Sequence, residues 1–382
     1  MTIPISSRLP DVGITIFDVM TKMANENGAI NLSQGFPDFE IDPGLVSLVH
    51  EYMAKGLNQY ATMPGVAPLR QVIADVIYKS YNHQANWETD ITVTSGATEG
   101  IFACISAFIS PGDEVILFDP AYDSYDPAIR LNGGIPVSVN LTYPGFTVDW
   151  DVVRKNISPR TRMIMVNTPH NPTGSVLKRS DLEELERIAL KHNLIVLSDE
   201  VYDRLIFDDA NHQSVLTLPG LASQSLAIFS FGKTFHATGW KMGYVIAPEY
   251  LSREVRKTHQ FIVYSVNTPI QYALSEYLKN PATYTKLGKF YQEKRDFFLK
   301  QMHGSSFIPL KTEGSYFQLF SYTQIADKPD KEMAEEMTKK HKVACIPVSV
   351  FYKDRTDNRL LRFCFAKKGE TLEKAAAVLR KI

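Results

Sequence analysis

Ser225-Leu226-Ala227-Ile228-Phe229-Ser230-Phe231-Gly232-Lys233-Thr234-Phe235 is the stretch around which the chain is organised. An apolar run, Leu226 to Phe229, ends in a serine, a glycine and one lysine, and Gly239-Trp240-Lys241 follows soon after. A short apolar run bounded in this way reads as a buried strand ending in a loop. Lys233 then lies just past the carboxyl end of a strand, where open α/β sheets bind ligands. A lysine against apolar walls gives up its proton readily and can act as a Schiff-base nucleophile. A lone lysine on a loop, however, is far more often a solvated surface residue. Two sharper patterns also fail. Gly-Lys-Thr resembles the end of a phosphate-binding loop, but Ala227 stands where the first glycine belongs. Ser230-x-x-Lys233 resembles a penicillin-binding serine, yet no Ser-Asp-Asn or Lys-Thr-Gly accompanies it. Lys233 has to be judged by its company.

The chain has 382 residues, 44% apolar and 22% charged, which is the composition of an ordinary globular protein of two or three domains. A net charge of −1 gives no electrostatic reason to expect a nucleic acid or an acidic membrane as partner. The three cysteines, Cys104, Cys345 and Cys364, suit neither a disulfide framework nor a metal cluster. Buried, inert thiols in a reducing compartment are expected, and no metal. The first residues lack a basic start followed by an apolar core, and no apolar run approaches membrane-spanning length. A cytoplasmic location is expected.

Residues 1–38 read as an arm with a short helix at about 16–25 and a turn at Gln34-Gly35-Phe36-Pro37-Asp38. Helical stretches near 43–55 and 68–81 flank a loop carrying Tyr60. From about Asp90 the pattern is strand, loop, helix, repeated. Strands are expected at 91–94, 114–118, 135–139, 162–166, 194–197, 226–229 and 243–247, with helices at 97–109, 124–131, 151–156 and 180–192. Such alternation predicts an α/β fold with a mostly parallel central sheet and helices on both faces. Two longer helices, 253–278 and 283–301, lead to a last hundred residues that mix strands (316–320, 360–366) with helices (331–341, 371–379). The expected domains are an arm, 1–38, contributing to a small domain; a large α/β domain, 39–280; and a small α+β domain, 281–382.

The loops after the strands carry the chemistry. Ser95-Gly96-Ala97-Thr98-Glu99-Gly100 opens a helix, whose free amides and positive dipole end suit an anion; by itself it is equally a capping sequence. Asp119-Pro120-Ala121-Tyr122 brings an aromatic ring. Asn167-Thr168-Pro169-His170-Asn171-Pro172-Thr173-Gly174 brings an amide within a run of turn residues. Ser198-Asp199-Glu200-Val201-Tyr202 brings a carboxylate and a phenol, and Lys233 follows the next strand. In a parallel sheet these loops share one edge and face one crevice. One cofactor needs all five: pyridoxal phosphate has a phosphate, a flat ring with a basic nitrogen, a phenolic oxygen and an aldehyde that forms an imine with lysine.

Ser230-Phe231-Gly232-Lys233, Asn171-Pro172-Thr173-Gly174, Asp199-Glu200-Val201-Tyr202 and Arg362-Phe363-Cys364-Phe365 resemble the signatures of the fold-type-I pyridoxal-phosphate aminotransferases of class I/II. Asn31-Leu32-Ser33-Gln34-Gly35-Phe36-Pro37-Asp38 and Thr238-Gly239-Trp240-Lys241-Met242-Gly243 resemble the kynurenine/glutamine transaminase branch, and within it the bacterial methionine aminotransferases. The likeness spans essentially the whole chain. It implies that Lys233 forms the internal aldimine and moves the proton once substrate displaces it. It implies that Asp199 pairs with the pyridine nitrogen, that Asn171 and Tyr202 hydrogen-bond the phenolic oxygen, and that Tyr122 stacks on the ring. Gly96, Ala97, Thr98, Ser230 and Lys241 would hold the phosphate, with Tyr60 reaching in from the second subunit of a homodimer. Arg362 would grip the substrate α-carboxylate, aided by Asn171 and the backbone of Gly35.

The residues alone leave Arg362 free to pair with a carboxylate of its own lobe, and Lys241 to be a solvated lysine. Lys241 departs from the aspartate-type members, many of which carry arginine there. No second arginine is clearly placed for a dicarboxylate side chain. Phe17, Tyr60 and Tyr264 offer apolar surface instead, which suits methionine and aromatic amino acids. The expected activity is transfer of the amino group of methionine, aromatic amino acids or glutamine to a 2-oxo acid. The alternatives are a carbon–sulfur β-lyase acting on cystathionine or cysteine conjugates, and a non-catalytic aminotransferase-like ligand sensor. A sensor of that type carries an N-terminal winged-helix segment, for which the short arm leaves no room.

Overall fold

Seven strands form the central sheet of the protein, seen in a computed structural model that describes residue 3 and residues 6–382. They are β1 (Ile91–Thr94), β2 (Glu114–Asp119), β3 (Ile135–Asn140), β4 (Thr161–Asn167), β5 (Ile195–Asp199), β6 (Ser225–Ser230) and β7 (Gly243–Ile246). Their spatial order is β1-β7-β6-β5-β4-β2-β3. Only β7 is antiparallel, and it is so to both neighbours. Two reversals restore direction, so β1 points the same way as β2 to β6. All six carboxyl ends therefore reach one edge of the sheet.

Side chains alternate across a strand, and the two sets enter separate cores. Ile116, Ile164 and Phe229 face one side with Leu69, Ile73, Leu182 and Leu185. Val115, Met163 and Ile228 face the other with Ile101, Ile105, Ile129 and Val255. Burial on both faces explains why these strands are nearly continuous apolar runs.

A third core belongs to the C-terminal lobe. Its antiparallel sheet has the order Ile346–Pro347, Leu360–Cys364, Phe317–Ser321, Ile308–Pro309. Phe298, Phe320, Phe363 and Leu372 fill this core, and Met20 and Leu32 join it from the N-terminal segment. Ile30–Asn31 is also paired in parallel with Val343–Ala344. Tyr202 and Phe207, which follow β5, enter the same core. The crevice at the sheet edge is thus walled by the lobe.

Two expected helices are each broken. The stretch 253–278 is Glu249–Ile262 and Thr268–Tyr277, because Asn267 caps the second helix through Ile270 N and Pro269 sits in its first turn. Proline belongs at a helix start, where no backbone N–H is missed. The stretch 283–301 is Ala282–Thr285 and Leu287–Met302, with Lys286 between them. The strand expected at 360–366 ends at Cys364 and the helix expected at 331–341 ends at Lys339.

Candidate active site

The strand-end loops, the Gln34–Gly35 turn and the strand carrying Arg362 enclose a cleft of about 950 Å³, its open mouth included. Every residue anticipated for the site lines it except Tyr60 and Tyr264. Tyr60 is 83% exposed and meets Tyr264 edge-on, ring centroids 5.6 Å apart. Both rings stand outside the cleft of their own chain.

Lys233 sits in a single helical turn, Phe231–Thr234, that begins where β6 ends. The Ser230 hydroxyl caps this turn by accepting from Lys233 N at 3.3 Å. The Lys233 amine donates to Gly35 O at 3.1 Å and to the Tyr316 hydroxyl at 2.9 Å. Burial lowers its pKa to about 8, since a charged amine is poorly solvated there.

Asp199 ends β5 and is buried. Its carboxylate accepts from the Tyr125 hydroxyl at 2.6 Å and from Val201 N at 3.3 Å. Among the described residues it has no ion-pair partner, and burial raises its pKa to about 6. A buried carboxylate facing a cleft in this condition suits an incoming cation such as a pyridinium. Burial also keeps the Tyr202 phenol protonated, with its pKa pushed up.

The amides opening the helix Gly96–Phe108 receive no side-chain cap. Glu99 instead turns back to accept from Ser95 N at 2.9 Å, outside the first turn. Gly96 has φ +73°, and a Cβ there would lie 3.4 Å from Lys241 Nζ. Uncapped amides with a lysine amine beside them form an anion cradle. Cleft, carboxylate, cradle and lysine together match the groups of pyridoxal phosphate.

Arg362 is fully buried. It donates from Nη1 to Asn171 Oδ1 and from Nη2 to Ser33 O, each at 2.8 Å. Its guanidinium lies 3.9 Å from the centre of the Phe317 ring. Among the described residues it forms no salt bridge, and Nε has no hydrogen-bond partner. Pairing with a carboxylate of its own lobe does not occur, and the guanidinium stands on the cleft wall without a counter-ion among the described residues.

Several residues of the cleft are not marked by any motif. Tyr125 lies three residues after Tyr122 and opens the helix Tyr125–Leu131, and its place in the expected helix 124–131 is the one signal pointing to it. Gln34 donates to Phe17 O at 2.9 Å and so ties the helix Ile16–Glu26 to the cleft wall. Phe317 opens a strand of the lobe with no motif around it, and Tyr316, just before that strand, meets Lys233 behind the lining.

Comparison with known proteins agrees with this geometry. The family described as aminotransferase class I and II matches residues 27–379. Methionine aminotransferase of Escherichia coli (strain K12) is 45% identical over 377 residues, 98% of each chain. The crystal structure of the Escherichia coli protein YbdL, reported to identify a methionine aminotransferase function, superposes with a TM-score of 0.98 over 100% of both chains at 45% identity. The N-succinyldiaminopimelate aminotransferase of Mycobacterium tuberculosis gives a TM-score of 0.95 over 99% of this chain and 100% of its own, at 36% identity. Kynurenine–oxoglutarate transaminase 3 of Rattus norvegicus is 32% identical over 98% of this chain and 89% of its own. With its lysine, buried carboxylate and anion cradle at one sheet edge, the chain belongs to the class I and II aminotransferases, enzymes dependent on pyridoxal phosphate.

Proposed function

We propose that this aminotransferase takes its amino group from methionine, aromatic amino acids or glutamine and passes it to a 2-oxo acid. The observation that carries this reading is that Arg362 is the only arginine on the cleft wall among the described residues. It serves the α-carboxylate, which every amino acid has, and leaves no second arginine for an acidic side chain. Phe17, Ile101 and Phe317 supply apolar wall, where a thioether or an aromatic ring is stabilised by area burial and sulfur–aromatic contact.

The cofactor would be held by Gly96, Ala97, Thr98, Ser230 and Lys241 at its phosphate, by Asp199 at its ring nitrogen, and by Asn171 and Tyr202 at its phenolic oxygen. Tyr122 would cover a ring face. When bound, the cofactor supplies an electron sink for the pair left as substrate Cα loses its proton. Asp199 keeps the ring nitrogen protonated, and Lys233 carries the proton away from Cα and returns it. Asn171 holds Nη1 of Arg362, which fixes the fork that receives the carboxylate.

The same reading makes the enzyme a homodimer in which Tyr60 completes the neighbouring site. The exposed Tyr60, Phe261 and Tyr264 supply the apolar surface for it. It divides the chain at about residues 38 and 280. No helix among the described residues is long and apolar enough to cross a membrane.

The test is the visible spectrum of purified protein with pyridoxal phosphate, read as single amino acids are added. Bleaching by methionine, phenylalanine or glutamine, but not aspartate, with keto acid formed, is the expected result. Pyruvate from cystathionine in place of keto acid from methionine would identify a β-lyase. A fully active monomer in light scattering would overturn the dimer.

A further inference from the structure

Three polar groups from distant parts of the chain close a triangle at the cleft wall. The Tyr316 hydroxyl donates to Gly35 O at 2.5 Å. The Lys233 amine donates to that same Gly35 O at 3.1 Å and to the Tyr316 oxygen at 2.9 Å. Tyr316 is fully buried, with its ring 5.0 Å from that of Tyr202 at 81° and 5.0 Å from that of Phe317 at 64°. Gly35 is pinned as well, since a Cβ there would lie 2.8 Å from the Phe317 ring. Both acceptors are set in packed surroundings and joined to each other, so they offer the lysine one fixed pair of positions. The lysine must come to them.

The roles within the triangle follow from proton counting. Tyr316 has one hydrogen and gives it to Gly35 O, so its oxygen faces Lys233 as an acceptor. Burial pushes the phenol well above its usual range, which keeps that hydrogen in place. A neutral lysine amine has two hydrogens and one lone pair. Gly35 O and Tyr316 O take both hydrogens, and the lone pair is left pointing away from them, towards the cleft. A protonated amine keeps the same two bonds and turns its third hydrogen to the same place.

We propose that Tyr316 and the Gly35 carbonyl form a dock for the free amine of Lys233, with Tyr316 as a positioning residue that aims the amine at substrate Cα. The dock acts whenever Lys233 is not joined to the cofactor. A lysine stem has four rotatable bonds, and holding its end in one place removes an entropic cost from proton transfer. In the transfer the Cα–H bond breaks and a new N–H bond forms at Nζ, in the one direction the dock leaves open. Both partners are acceptors, so the dock also favours the protonated amine and offsets part of the burial that brings its pKa to about 8. The aiming role rests on Lys233 being the proton carrier, as proposed above; the dock itself does not.

Tyr316→Phe keeps the ring and removes the hydroxyl, which is both the lysine's acceptor and the donor to Gly35 O, and two readouts separate the dock from the aiming role. In cofactor-free protein, the rate at which an amine-acylating reagent labels Lys233, resolved by peptide mass spectrometry, is measured against pH. The labelling midpoint in Tyr316→Phe is expected to fall by roughly one pH unit relative to the parent, as one hydrogen bond to the charged form is lost. In the loaded enzyme, kcat is expected to fall roughly tenfold with KM little changed, and the kinetic isotope effect of Cα-deuterated substrate to rise, because a misaimed base slows proton transfer alone. If Tyr316→Phe does not fold, 4-fluorophenylalanine at the same position fills the space of the hydroxyl with a very weak acceptor that cannot ionise, and the midpoint must shift the same way. An unchanged midpoint overturns the dock. A shifted midpoint with an unchanged isotope effect overturns the aiming role. Parent enzyme that takes up cofactor and transfers no amino group would instead remove the transaminase reading, while the labelling result would still judge the dock.

Discussion

The Tyr125 hydroxyl donates to Asp199 Oδ2 at 2.6 Å, from the first turn of the helix Tyr125–Leu131 to the last residue of β5. It links the two sides of the cleft floor and works against burial. Burial pushes the Asp199 carboxyl up, and the Tyr125 hydrogen bond pulls it back.

Tyr125→Phe should therefore raise the pKa of Asp199 further and leave part of it protonated near pH 7. Affinity for pyridoxal phosphate is expected to weaken by about tenfold at pH 7, since a hydrogen bond to a charged group contributes about 1.5–3 kcal/mol and part of it is lost. The deficit should shrink towards pH 8.5, where Asp199 ionises again. Fluorescence titration of cofactor-free protein at the two pH values checks both parts.

Lys233 links stability to pH in the cofactor-free protein. Its folded pKa of about 8 lies below the ordinary value of 10.5. Below pH 8 it is charged in both states, and the folded state bears the full cost of burial. Between pH 8 and 10.5 the unfolded chain binds more protons, so stability rises with pH. Lys233→Met should be the more stable protein at pH 7.5, and the gap in melting temperature should close as the pH approaches 10.

Arg362→Lys keeps the charge and loses the fork. The lysine can satisfy neither Asn171 Oδ1 and Ser33 O together nor both oxygens of a carboxylate. For methionine, kcat/KM should fall by roughly 10²-fold. Steady-state rates across several amino acids should show the same fall for each, because the α-carboxylate is common to all.

Gly243 supports the anion cradle from beneath. A Cβ there would lie 2.8 Å from Phe229 O and 2.9 Å from Ala97 N, both backbone atoms that cannot swing aside. Gly243→Ala should cost on the order of 3 kcal/mol in denaturant unfolding. Cofactor affinity should fall with it, since the Gly96–Ala97 amides are displaced.

Most of the site is legible in the order of residues along the chain. Lys233, Asp199, Asn171, Tyr122 and Gly96 each follow an apolar run, and a parallel sheet sends all such loops to one edge whatever the helices between them do. A local pattern is enough because the topology repeats. The helix break at 263–267 is marked by Asn267-Thr268-Pro269, but the apolar period on either side outweighs it.

Strand ends, the place of Lys233 at the sheet edge and the family are written in the chain itself, because each rests on residues close together in it. Long-range packing alone settles that β7 runs against its neighbours, that Tyr125 meets Asp199, and that Arg362 finds no carboxylate. It also brings Tyr316 to Gly35 across 281 positions of chain. Such contacts depend on how the lobe seats against the sheet edge and which way a packed ring points. Both are set by three cores filling at once, which no window of sequence contains.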